Sequence, residues 1–344
     1  MRYARWEDAY ISQQQILEWS QSEIGVKYLI GFFGEMNEKH TEKARRDVRV
    51  LAGIQLEMLR EAEPIYVSSD VTDLIDDARA KWKPEKLLPN DPFAPRGFCL
   101  FPRPVLIDDM PVTKTHPWRS GIGLIPVRAV AWLPIHSEDL SVGTYWIAFY
   151  VHCDDEFALA DERGVPSRLE MGHPDDPEPV HSRDEIRRIM PFSIVHQWQW
   201  SWGQPGYESL DDPEAYDILA EDSFEDVRER ARQQTSLIQT MWRIGSQLVP
   251  TKARLPRQLR RDSQRKKRPV DDVTVITLRR GRQGQEEMET TGRRLTVRFV
   301  VRGHWRNQWY ASLGEHRQIW IAPYVKGPDD VPLRLTKRAW QFTR

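Results

Sequence analysis

Only two cysteines, Cys99 and Cys153, occur in 344 residues. That excludes a disulfide framework and fits a reducing compartment, with both thiols expected as small core residues. No apolar run approaches the roughly 18 residues of a membrane span. The opening MRYARWEDAY lacks the apolar region of a secretory signal. No phosphate-binding loop, zinc spacing or nucleophile elbow is present. Gly121-Ile122-Gly123 is a glycine pair without the rest of a dinucleotide fingerprint and reads as a turn. No internal repeat is visible. The expectation is a soluble cytoplasmic protein with no membrane partner, no cofactor and no bound metal.

Acidic charge is scarce in one part of the chain. Residues 251–344 carry 23 Lys and Arg against 9 Asp and Glu, a net of +14. The first 250 residues carry 27 against 42, a net of −15, so the formal net charge of −1 conceals a split. A basic part of this kind suits a polyanionic partner. The two parts could equally neutralise each other within the chain or between subunits.

Periodicity predicts an α+β protein: a helical N-terminal region over 1–83, then a central α+β domain over 84–250. The N-terminal helices are read from residue 7, from Thr41 to about Ala62, and from Ser69 to Trp82. Ile65–Val67 reads as a short strand. The central domain is expected to hold an antiparallel sheet built from 98–101, 105–107, 127–135, 144–152 and 192–202. A long helix over 224–249 follows, and Pro250 stops it. Residues 153–186 are acidic and aperiodic and read as a surface loop. Lys252–Arg268 holds nine basic residues and one acid, too polar to bury. It reads as part of a basic linker or arm over 251–270. A basic β-rich domain is expected over 271–344, opened by the strand VTVITL.

Two stretches carry the functional expectation. In the arm, Arg257, Arg260, Arg261, Arg265, Lys266, Lys267 and Arg268 could neutralise phosphates and release counterions. Further on, Leu295–Tyr310 alternates as a strand. Leu295, Val297, Phe299, Val301, Gly303, Trp305, Asn307 and Trp309 form the side expected to face a core. Arg298, Arg302, His304, Arg306, Gln308 and Tyr310 lie on the other side. Gly303 is placed for a bulge. A turn at 311–314 leads to a partner strand over 318–325, with His316, Arg317 and Lys326 near its two ends. The arginines could bind phosphates, and Tyr310 with Gln308 could orient a base. His304 could act as acid or base, with Arg306 and Tyr310 beside it and His316 as its counterpart, for metal-independent phosphodiester cleavage.

Other clusters are weaker. His152-Cys153-Asp154-Asp155 gathers ligand-type residues, but neighbours on a strand diverge. His173 and His181 near Asp175 and Asp176 have no zinc spacing. The row His196, Trp198, Trp200 and Trp202 reads as the core face of a strand.

The run Arg302-Gly303-His304-Trp305-Arg306-Asn307-Gln308-Trp309-Tyr310, followed by Ile319-Trp320-Ile321-Ala322-Pro323-Tyr324-Val325-Lys326-Gly327-Pro328, resembles a signature of uncharacterised proteins of actinobacteria, their phages and plasmids. The likeness covers about the last hundred residues. It implies a setting, a bacterial mobile element or phage, and no particular activity.

Three functions follow as expectations. One is a nucleic-acid-binding accessory or regulatory protein. The second is a ribonuclease-like toxin, as in toxin–antitoxin systems, centred on His304. The third is an assembly component, paired with a protein partner or a second copy through its opposite charges.

Overall fold

The computed structural model describes residues 3–26, 28–29, 42–80, 87, 91–108, 122–135, 144–170, 182–201, 224–248, 250–266, 268, 270, 272–280, 296–301, 304–310, 315–321 and 324–328. In chain order these hold α1 (Glu7–Ser20), α2 (Glu42–Glu61), β1 (Glu63–Val67), α3 (Ser69–Arg79), β2 (Gly97–Asp108), β3 (Leu124–Ile135), β4 (Thr144–His152), α4 (Cys153–Arg163), α5 (Arg183–Ile189), β5 (Phe192–Ser201) and α6 (Phe224–Gln247). They continue with β6 (Thr251–Ala253), α7 (Arg257–Arg265), β7 (Val273–Ile276), β8 (Arg279–Arg280), β9 (Phe299–Val301), β10 (His304–Tyr310), β11 (Glu315–Ile321) and β12 (Tyr324–Lys326).

The fold is mixed α/β around a seven-stranded sheet of order β5-β4-β3-β2-β1-β7-β6. The strands expected at 127–135 and 144–152 pair antiparallel, as do β4 and β5. An all-antiparallel sheet is not what forms. β1 runs parallel to both β2 and β7, so the sheet is mixed. The reason is connectivity: helix α3 and a long excursion separate β1 from its neighbours, which permits parallel crossovers. VTVITL, expected to open a C-terminal sheet, instead enters this sheet through β7, between β1 and β6. The two short strands expected around 98–107 are one strand, β2, whose register shifts between Leu100 and Val105. Pro102 and Pro104 fall in that interval and lack the N–H a regular ladder requires.

The sheet is buried on both faces, which is why TYWIAFYVH is a continuous apolar run with every residue of β4 buried. Tyr145, Ile147, Phe149 and Val151 face α3 and α6, packing with Leu237, Ile238, Met241 and Trp242. Trp146, Ala148 and Tyr150 face α1 and α2 with Ile16, Met58 and Leu59. Trp242 meets Trp132 edge-on at 5.8 Å between ring centres. Gly97 is required beside Trp132, since a Cβ there would lie 2.3 Å from the indole.

Helix α1 is the unusual layer. Asp8, Ser12, Gln13, Gln14 and Ser20 are all buried within it. Gln13 Nε2 donates to the carbonyls of Leu59 and Ala62, both at 2.7 Å, and so closes the C-terminal turn of α2.

The acidic segment after β4 is helical at both its ends. Cys153, Glu156, Phe157 and Ala160 form the buried stripe of α4, an i, i+3, i+4, i+7 pattern. His152 Nδ1 caps that helix by accepting from the Asp154 amide at 3.2 Å. Gly164, at φ 66°, ends it in the left-handed region. The acidic residues hid a narrow stripe that a charge-based reading passes over.

The expected strand over 295–310 is interrupted. β9 lies in a three-stranded sheet with β8 and β12, and β10 pairs with β11 in a separate two-stranded sheet. The expected partner strand is likewise divided. Its first part belongs to β11, and Tyr324–Lys326 pairs with β9. Val325 reaches the core on the α3/α6 side of the central sheet, with Val300 packed against it.

Candidate nucleic-acid interface

The basic stretch expected as a flexible arm contains a short strand and a helix. β6 pairs with β7 at the sheet edge, and α7 follows Pro256. Its apolar stripe is small: Leu255 is buried just before it, Leu259 packs against the α1/α2-side core, and Ser263 is buried. Tyr10 Oη donates to Ser263 Oγ at 2.6 Å, tying α7 to α1. Ser263 Oγ in turn donates to the Leu259 carbonyl at 2.8 Å. Lys266 pairs with Glu18 of α1 at 2.9 Å, and Arg268 pairs with the same carboxylate. Lys252 pairs with Glu63. Part of the basic charge is therefore neutralised inside the chain.

The opposite side of α7 is different. Arg257, Arg261 and Arg265 recur at i, i+4 and i+8, one above another along the helix, and all three are exposed. With Gln258 and Asp262 they line an open concavity of about 390 Å³. Asp262 reaches Arg265 at 3.6 Å, yet the Arg265 side chain keeps 79% of its exposure, so the pair is a solvated one of small energy. Arg260 is half-buried, with a buried Nε that has no hydrogen-bond partner. Of the arm's candidates, the fold aligns Arg257, Arg261 and Arg265. Lys266 and Arg268 are spent on Glu18, and Lys267 lies outside the described residues.

The C-terminal candidates do not form one continuous row. Arg298 sits just before β9 and meets Asp70 of α3 at 3.9 Å. Arg302 lies outside the described residues. Positions 304, 306, 308 and 310 alternate along β10, opposite Ile321, Ile319, Arg317 and Glu315 of β11. Gln308 and Arg317 are thus register partners. His316 is opposite Trp309, which gives it the other parity from His304. The two histidine positions belong to opposite faces of the hairpin, so they do not form the acid–base pair expected of a nuclease. Lys326 is in β12, half-buried.

The ligand-type cluster at 152–155 is engaged otherwise. Asp155 receives Arg128 Nε at 2.7 Å, and Asp154 receives Arg187 Nε at 2.6 Å. Arg128 also lies 5.0 Å from the Tyr3 ring centre. Cys153 is a buried thiol outside any disulfide. Among the described residues no three His, Cys, Asp or Glu side chains are grouped to hold a metal ion. His173, His181 and Trp202 lie outside the described residues. Beside this cluster Arg183 bridges Glu170 at 2.6 Å and Asp161 at 2.8 Å. Those hydrogen bonds lower the pKa of both carboxyls.

Sequence reasoning missed the docking of α7. The signal was present as Leu255, Leu259 and Ser263 at four-residue spacing, but three residues among nine cations are a faint stripe. It also missed the exposure of Trp309, which was placed on a core side and is 49% exposed.

No protein-family model and no curated protein sequence matches this chain. Among solved structures, the crystal structure of AcrVA2 aligns over 92% of this chain and 93% of that one. The identity is 12% and the TM-score 0.29, values at which the likeness carries no argument about fold or function.

Proposed function

We propose that this protein is a nucleic-acid-binding accessory or regulatory protein, with the exposed arginine row of α7 as its phosphate-contacting surface. The observation that carries the reading is the division of α7. One side is fixed to α1 through Leu259, Ser263 and the Glu18 ion pairs. The other presents Arg257, Arg261 and Arg265 to solvent. Successive members are about 6 Å apart along the axis, and a guanidinium can hold phosphate oxygens in a two-pronged fashion. A docked helix also loses less conformational freedom on binding than a flexible arm would. Contacts of this kind position a polyanion without reading its sequence. The resemblance of the last hundred residues to actinobacterial and actinophage proteins supports a mobile-element setting for that role.

The test is fluorescence anisotropy of labelled DNA and RNA over a salt series. Binding that weakens steeply with salt is expected, and absence of binding at low salt rejects the proposal. The nuclease reading is less favoured, because positions 304 and 316 fall on opposite faces of the hairpin.

A further inference from the structure

The rotation of α7 about its own axis is fixed, and phosphate contact alone does not require that. Leu259 packs into the α1/α2-side core, and buried Ser263 receives Tyr10 Oη at 2.6 Å. Every other side chain of the helix then points in a set direction, about 100° on from the one before. The exposed arc opposite holds Arg257, Gln258, Arg261, Gln264 and Arg265, with half-exposed Asp262 at its margin.

Two rows run along this arc. Arg257, Arg261 and Arg265 form one. Gln258 and Asp262, also four residues apart, form the other, and both rows line the same concavity. Among the described residues the side chains of Arg257, Gln258 and Arg261 have no ion pair or hydrogen bond. A surface made for phosphates alone gains nothing from Asp262, which repels them. Beside base edges the second row has a use: an amide pairs with adenine N6 and N7, and a carboxylate accepts from cytosine N4.

The shape and composition of α7 select the ligand. Its nine residues make a rod about 13 Å long and, with side chains, about 10–12 Å across. The major groove of B-form DNA is about 12 Å wide and admits a helix, whereas that of duplex RNA is too deep and narrow for side chains to read. The helix sequence RQLRRDSQR contains no aromatic residue, so α7 offers no stacking plane to a single strand. We propose that α7 lies in the major groove of duplex DNA, its arginine row toward the phosphates of one wall and Gln258 toward a base edge. This rests on the nucleic-acid reading above and adds to it the kind of duplex and a residue that reads sequence.

The experiment uses the full chain with a duplex DNA, the duplex RNA of the same sequence and the separate single strands, all at one salt concentration. Duplex DNA is expected to bind at least about 10-fold more tightly than the others. Methylation of guanine N7 should interfere with binding, since that atom faces the major groove. Selection from a randomised duplex library should yield a preferred sequence. On that sequence Gln258→Ala should weaken binding by about 5- to 150-fold, with little change on unrelated duplexes. The salt slope should stay at its wild-type value, because a glutamine releases no counterions. Equal affinity for duplex RNA or for the single strands overturns the groove proposal while leaving the phosphate reading of α7 standing. So does a library without a preferred sequence, or a Gln258→Ala loss that is the same on every duplex. No binding of any oligonucleotide by wild type rejects both.

Discussion

Two arginine groups on this protein have opposite fates. Around α4 and α5, Arg128, Arg183 and Arg187 each reach a carboxylate at 2.8 Å or less. Arg183 also lies 4.8 Å from the Phe157 ring centre. On α7, Arg257, Arg261 and Arg265 are exposed, and Arg265 meets Asp262 at 3.6 Å in a solvated pair. The residue type is the same, and the local supply of acids decides the role. Where acids are plentiful the guanidinium becomes a clamp between elements. Where they are scarce it remains available to a ligand.

The first way to break this contrast is to remove a clamp. Arg128 has a side chain only 6% exposed and holds Asp155. Arg128→Ala leaves that carboxylate short of its partner and should cost about 3–5 kcal/mol of stability, read by urea denaturation. A cost under about 0.5 kcal/mol, ordinary for a surface site, would erase the distinction. Next comes the joint replacement of Arg257, Arg261 and Arg265 by Gln. It should leave stability nearly unchanged and flatten the logarithmic salt dependence of nucleic-acid binding by about 2–3 units. An unchanged slope would show that these arginines touch no phosphate.

Smaller effects sharpen the boundary between the two groups. Tyr10→Phe removes the donor to Ser263 and should cost about 1 kcal/mol, with faster amide exchange in α7 as its local signature. Glu18→Gln frees Lys266 and Arg268, and should cost less than about 1 kcal/mol while tightening polyanion binding. The smallest effect concerns pH. The Arg183 hydrogen bond lowers the Glu170 pKa from its ordinary 4.5. Its stabilising contribution is complete above that value and is lost as pH falls through the lowered one. Glu170→Gln should therefore narrow the stability difference between neutral and acid pH, measured as melting temperature over that range.

The strands at 127–135 and 144–152 and the helix of α6 were legible in the sequence, because long periodic runs fix their own type. The parallel pairing of β1 was not. VTVI shows that a strand forms, yet nothing local says that it will lie beside residues 65–67, two hundred positions earlier. The interface followed the same rule. The cations on α7 were evident as charge, but their alignment depends on Leu259 and Ser263 finding α1. The alternation of 295–310 was also evident. It gave the wrong outlook for Trp309, because β9 and β10 belong to different sheets and the core side of β9 does not continue through β10.

The bond between Tyr10 and Ser263 spans 253 residues. At about 5–20 residues per second of synthesis, Tyr10 emerges roughly 13–50 s before the Ser263 hydroxyl it bonds. An apolar helix left waiting that long would present a surface for aggregation. Ser12, Gln13, Gln14 and Ser20, which look misplaced in a finished interior, make α1 less apolar than an ordinary core helix while that bond is still to form. The polar composition of this buried helix suits the nascent chain as much as the folded one.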